Sequence, residues 1–261
     1  MVFLVLVVSF LGGLLLVPMA RILSIRLGKV SPPRADRWHS KPTPLLGGVA
    51  IYVSFMATIF AYALITRSWQ EIPWGLLLGS SIMFALGLYD DFKPLTPPAK
   101  LIGQIVAVMV VIYLGYTSSF FTPRLGDSLV AQIPNVLLTI IWLVGITNAI
   151  NLLDNMDGLA GGISFIAVGL MSLLFWQAGS TGLLAISLGL AGSTLAFLFY
   201  NFPPAKIFMG DSGSMLLGFT LAVLAIARQP QASNLFAIMG VPTLLLLLPI
   251  LDTTLVTLTR L

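Results

Sequence analysis

Asn148, Asn151, Asp154 and Asp157 recur at intervals of three in the stretch NAINLLDNMDGLAGG. Carboxylates and amides offer oxygen donors. That set, in a chain without cysteine and with one histidine, suits Mg²⁺ or Mn²⁺ rather than zinc. On a straight helix each of these residues is rotated by about 60° from the last, so neighbours touch but the whole run cannot share a face. Gly158, Gly161 and Gly162 predict that the helix breaks here and turns the later carboxylates back towards a ligand. The competing structural explanation is asparagine caps on a tight helix–loop–helix.

Three further segments carry groups of this kind. In GLYDDFKPLTPPAK, Asp90 and Asp91 end a helix and meet a proline-rich turn, with Lys93 and Lys100 close by. Acids at a helix C-terminus oppose the macrodipole, so helix formation alone does not select them; the bland alternative is a solvated helix end. In NFPPAKIFMGDSGSMLLG, Asp211, Ser212 and Ser214 precede an apolar helix. An N-cap explains them, and so does phosphate binding at a helix N-terminus. Phe208 stands just upstream, either as a stacking face for a base or as plain packing. In PPRADRWHSKPTPLLGGVAI, Arg37 and Lys41 are candidates to hold phosphate and equally topology determinants facing anionic lipid. His39 is expected to be a bystander.

These segments must be positioned by apolar elements, because 58% of the 261 residues are hydrophobic and 8% charged. A soluble domain carries about 25% charged residues. Runs near 20 apolar residues cross a bilayer as helices. The chain offers Val2–Ala20, Leu45–Ile65, Ile72–Tyr89, Leu101–Tyr116, Pro134–Ile150, Leu159–Trp176, Leu183–Tyr200, Met215–Ala227 and Leu235–Leu258. The uncharged stretch from Gly158 to Ala205 is split at QAGSTG. The first run lacks the basic start of a signal peptide and reads as a retained helix. The expected fold is an all-α integral membrane protein, a polytopic bundle of about nine helices forming one domain over residues 1–261.

With the N-terminus outside, ten of the thirteen Lys and Arg residues fall on the inner side, as the positive-inside rule requires. That rule is silent on acids, yet Asp36, Asp90, Asp91, Asp154, Asp157, Asp211 and Asp252 fall on the same side, and only Glu71 and Asp127 opposite. Carboxylates at a membrane are costly and mark function. The residues alone therefore point to a metal-dependent site at the inner face, acting on a phosphorylated and partly lipidic substrate. A secondary transporter, with charges on broken helices at mid-membrane and repeated halves, is the main rival, and a catalytically dead relative is another. No repeat is visible in the sequence.

The motifs GGVAI, GLYDDFKP…AKLIGQ, NAINLLDNMDGLAGG and FMGDSGSMLLG, in this order, resemble the polyprenyl-phosphate N-acetylhexosamine-1-phosphate transferases. With the RWHSKPTPLLGG loop, the likeness is to the bacterial undecaprenyl-phosphate N-acetylglucosamine-1-phosphate transferases that start surface glycans. The phospho-MurNAc-pentapeptide transferases are the alternative branch. The resemblance implies transfer of a sugar-1-phosphate from a UDP-amino sugar to undecaprenyl phosphate, with release of UMP, at the cytoplasmic face of the inner (plasma) membrane. It implies Mg²⁺, with Mn²⁺ as substitute, no nucleic-acid partner, and is compatible with a homodimer. Asp211 would ligate the metal with help from Asn151. Asp90 and Asp91 would flank the attacking lipid phosphate, with Asp154 in the same catalytic set. Lys100 would hold phosphate, Phe208 would stack on uracil and Asp157 would bond its edge; Lys41 and Asn148 are carried as further substrate contacts. Asn155 stands where many relatives have glycine. The family continues into a histidine-bearing loop that nothing up to Leu261 matches, so the chain is expected to be truncated at its C-terminus and weakly active or inactive alone if that loop binds diphosphate.

Overall fold

The computed structural model describes residues 1–31, 42–122, 129–227 and 251. The expected ninth span, Leu235–Leu258, lies outside the described residues apart from Leu251, as do Arg37, His39, Lys41 and Asp252.

Among the described residues, eight helices follow in order: α1 Leu4–Arg26, α2 Gly47–Thr66, α3 Trp74–Phe92, α4 Pro97–Tyr113, α5 Leu129–Leu153, α6 Leu159–Gln177, α7 Thr181–Asn201 and α8 Gly210–Ala227. They match the first eight expected spans one for one. Seven are long and apolar enough to cross a membrane; α4, at 17 residues, is shorter. The protein is a multi-pass all-α membrane protein. One moved boundary bears on the site: α8 begins at Gly210 rather than Met215. Asp211, Ser212 and Ser214 thus lie in its first turns, not in a loop before it. Its cap comes from elsewhere in the fold.

Core helices are those that sequence cannot distinguish from lipid-facing ones. In α7 and α8, 78% of the apolar window is buried, against 28% in α1. α8 packs against α2, α3, α5 and α6, and α7 against α1, α2 and α6. Small residues allow the close approach that packing in lipid depends on. A Cβ on Gly13 would sit 2.6 Å from that of Ala196, and one on Gly192 would strike the Leu6 carbonyl. Ser9 Oγ donates across this seam to Gly189 O at 2.7 Å.

Backbone polar groups must be satisfied without water. Pro18 lies inside α1 and brings no N–H to the Leu14 carbonyl; Tyr200 Oη donates to that carbonyl instead, at 3.1 Å. Buried threonines Thr58, Thr139, Thr147 and Thr220 donate to carbonyls one turn back in their own helices. α4 opens with Pro97 at a first-turn position where a missing N–H costs nothing.

Short connections make successive helices antiparallel. The C-terminal ends of α3, α5 and α7 thereby meet the N-terminal ends of α4, α6 and α8. The opposite end carries Trp69 stacked on Trp74 at 5.4 Å, with Phe60 beside them, the amphipathic aromatics that favour a bilayer interface. A two-stranded hairpin, β1 Val30–Ser31 and β2 Thr43–Pro44, pairs Val30 with Pro44 between α1 and α2. Lys29, just before it, donates from Nζ to the Phe92 carbonyl at 2.8 Å and fastens the end of α3.

Candidate active site

The centre of the site is the first turn of α8. Asp211 presents a side chain 35% exposed, whereas Asp90 is 9% exposed. Lys100, entering α4, places Nζ 2.7 Å from Asp211 Oδ2 and 3.0 Å from Asp90 Oδ2. One ammonium thus bridges two carboxylates brought from different helices and offsets one of their two charges. Asp90 Oδ1 also accepts from the Leu95 N–H at 2.6 Å, which folds the turn between α3 and α4 onto the end of α3. Asn151, in the last turn of α5, donates from Nδ2 to Asp211 Oδ1 and to Ser214 Oγ, each at 2.8 Å.

Asp91 is engaged differently. Its Oδ1 accepts from the Asp211 N–H at 2.7 Å and its Oδ2 from the Ser212 N–H at 3.0 Å. Adjacent in sequence, the two aspartates of the pair therefore serve different partners.

The second wall is a turn and a loop stitched together. α5 ends at Leu153 and α6 begins at Leu159, with Gly158 at φ 73° between them. Of the three glycines expected to break the helix, Gly158 does so; Gly161 and Gly162 lie within α6. Asn148 and Asn151 accordingly stay on a helix, while Asp154 and Asp157 lie on the turn. Buried Asn201, which ends α7, accepts from Gly158 N–H through Oδ1 and donates from Nδ2 to Ile207 O, both at 2.9 Å. Asp157 Oδ2 accepts from the Ala205 N–H at 2.9 Å. Phe208 is held by its backbone: its N–H donates to Pro44 O at 2.7 Å, and its carbonyl accepts from Gly47 N–H at 2.9 Å. Gly47 must lack a Cβ here, since one would lie 2.6 Å from Phe208 O.

These groups enclose a cavity of about 610 Å³ at one end of the bundle. It is lined by Asp90, Asp91, Asn151, Asp154, Asp157, Phe208 and Asp211 among the expected residues, and by apolar Val30, Leu45, Leu95 and Met156. Lys100 adjoins it through its ion pairs. Asn148 does not line it: Asn148 Nδ2 donates to Gln104 Oε1 at 2.9 Å and Gln104 Nε2 to Asn148 Oδ1 at 3.0 Å, a reciprocal amide pair joining α4 to α5. Lys41 lies outside the described residues. Gln104 and Asn201 are not among the residues expected from sequence. For Gln104 the signal available was an uncharged polar residue in a span otherwise apolar, one turn from Lys100; Asn201 has no charged residue within a turn.

Gln104 sits one turn beyond Lys100, and Asn148 one turn before Asn151, so the amide pair sets the spacing of two Asp211 partners. Gln104→Leu is expected to cost about 0.6–2 kcal/mol of stability and to lower turnover about tenfold with little change in substrate KM, read by thermal unfolding in detergent beside steady-state kinetics. A KM effect with unchanged turnover would contradict this role.

Among the described residues, no group of three or more His, Cys, Asp or Glu gathers into a ready-made metal cage. What exists is a partly exposed carboxylate, Asp211, flanked by an amide and an ammonium at the mouth of a cavity of mixed polar and apolar lining. Residues 73–229, which carry α3 to α8 and every one of these side chains except the α2 glycine and hairpin contacts, match the family model described as Glycosyl transferase family 4. The chain belongs to that family. It is similar to a Bacillus subtilis protein named probable undecaprenyl-phosphate N-acetylglucosaminyl 1-phosphate transferase, at 36% identity over 95% of this chain and 68% of that protein. A Mycolicibacterium smegmatis decaprenyl-phosphate N-acetylglucosaminephosphotransferase is 36% identical over 89% of this chain and 64% of its own length. A Lacticaseibacillus paracasei phospho-N-acetylmuramoyl-pentapeptide-transferase is 35% identical over 80% and 69%. The chain thus spans about two thirds of the length of these family members.

Proposed function

We propose that the protein transfers a sugar-1-phosphate, N-acetylglucosamine-1-phosphate foremost, from a UDP-sugar to undecaprenyl phosphate and releases UMP. The observation that carries this reading is the convergence of Asp90, Lys100, Asn151 and Asp211 from separate helices at one cavity. It is joined by the names of the relatives, which are polyprenyl-phosphate transferases. The excess of basic residues on the side of the site supports a cytoplasmic active site with the N-terminus outside, in the plasma membrane.

In the reaction an oxygen of the lipid phosphate attacks the sugar-linked phosphorus of the UDP-sugar, the bond to the bridging oxygen breaks, and UMP leaves. A phosphate monoester with a second pKa near 6 is largely dianionic at neutral pH and needs little activation, which favours a single displacement over a covalent aspartyl intermediate. Positioning and charge neutralisation supply most of the catalysis in such a transfer. Asp211 and Asn151 are the residues to hold Mg²⁺; the ion commonly takes one or two carboxylates and completes its shell with substrate phosphate and water, so this donor set fits it. When bound, it supplies charge neutralisation on the diphosphate. Lys100 binds substrate phosphate, Asp90 orients the attacking lipid phosphate, and Phe208 and Asp157 receive the uracil on the wall built by Asn201 and Gly47. Asp154 faces the same cavity.

The test is UMP release by the full-length protein from UDP-GlcNAc with undecaprenyl phosphate, expected with Mg²⁺ and abolished by EDTA. UDP-MurNAc-pentapeptide as donor separates the alternative branch of the family. Absence of UMP release and of isotope-labelled UMP exchange with either donor would retire the reading in favour of transport or a dead relative.

A further inference from the structure

The two adjacent aspartates at the end of α3 do not face the same thing. Asp90 faces Lys100. Asp91 reaches across to the start of α8 and accepts two backbone N–H groups, one on each oxygen. The first turn of any helix has N–H groups with no partner inside the helix. Such groups are ordinarily capped by a side chain just upstream, but Met209 precedes α8 and Gly210 opens it, and neither brings a side-chain oxygen to accept them. The cap is therefore supplied in trans, by a carboxylate that also complements the positive end of the α8 dipole.

The surrounding backbone leaves this cap one position. Gly87, one turn before Asp91, lies against the Asp211 peptide: a Cβ there would stand 2.6 Å from the Asp211 carbonyl carbon and 2.8 Å from Ser212 Cα. Gly210 has φ 73°, and a Cβ on it would be 2.8 Å from both Asp91 oxygens. The end of α3 and the start of α8 are thus locked together at Asp211, the residue shared by Lys100 and Asn151.

We propose that Asp91 is a positioning residue: it caps α8 from α3 and so fixes Asp211 relative to Lys100 and Asn151. It acts on metal and substrate only through Asp211. In its significance for turnover this rests on the function proposed above, but its structural content can be read without substrate.

The test is residue-resolved hydrogen exchange on the full-length protein in nanodiscs, with Mn²⁺ binding followed by electron paramagnetic resonance. In the wild type, the Asp211 and Ser212 amides are expected to be protected although first-turn amides ordinarily exchange quickly. Asp91→Asn offers one acceptor where two are needed and turns an NH₂ towards a donor. It is expected to speed exchange at these two amides at least about tenfold and to weaken Mn²⁺ binding several-fold. Asp90→Asn should leave exchange at both amides within about twofold. Fast exchange of the two amides in the wild type would overturn the proposal even if no variant folds. So would an Asp91→Asn protein that loses Mn²⁺ binding or turnover with exchange unchanged, since Asp91 would then act directly. Absence of UMP release from an otherwise protected wild type would count against the function and leave the cap standing.

Discussion

Asp211→Asn is expected to reduce UMP release by about 10²–10³-fold, the cost of removing one preorganised charge-stabilising group from an active site. The physical basis is that Asp211 is the most exposed carboxylate of the Lys100-linked set and the one shared by Lys100 and Asn151. The substitution is unusually clean. Asp91 holds position 211 through its backbone N–H, not its side chain, so the start of α8 survives the change. Melting temperature and the exchange of first-turn amides should stay near wild type, while Mn²⁺ affinity falls. A variant that keeps more than about a tenth of wild-type turnover would remove Asp211 from the centre of the chemistry.

Lys100→Met should move two measurements in opposite directions. Lys100 Nζ stands within 3.0 Å of both Asp90 and Asp211, where a cation is needed to hold two carboxylates together. An ammonium at that distance competes with a divalent ion for the same oxygens. Methionine keeps the length and loses the charge, so the paired carboxylates become a better divalent site. Mn²⁺ affinity is expected to rise about tenfold, a discount on the full Coulomb interaction because the groups are partly solvated. Turnover is expected to fall about a hundredfold, because the substrate phosphate loses a fixed positive charge. An affinity that falls with turnover would mean that Lys100 supports the metal site instead of sharing its ligands.

The acidic pair shows how far residue types can mislead about local physics. Read within α3, Asp90 and Asp91 sit at the wrong end of a helix dipole. In the fold, Asp91 lies at the right end of a different helix, α8, and Asp90 is matched by Lys100. The energetic objection disappears once a second element is present. Asn148 illustrates the reverse. Its place in a run of four evenly spaced oxygen donors marked it as a substrate contact, yet it is rotated away from the cavity onto Gln104. The rotation of a straight helix over three residues is what separates it from Asn151, and the end of α5 at Leu153, followed by the turn that closes at Gly158, is what returns Asp154 and Asp157 to the cavity.

The sequence by itself determined that the chain is a helical membrane protein, where its first eight apolar helices fall, and which end of them gathers the acids. These follow from bilayer thickness and from the cost of unpaired charge in lipid, which act on every residue regardless of neighbours. Only the tertiary structure decided which helices are central, since lipid and protein interior are equally apolar and composition cannot tell α8 from α1. It alone decided the partners of each polar group: Asp91 with the α8 amides, Lys100 between two carboxylates, Asn201 between turn and loop. Such pairings are set by distances across the bundle between residues as far apart in the chain as Asp91 and Ser212, and no local pattern encodes them.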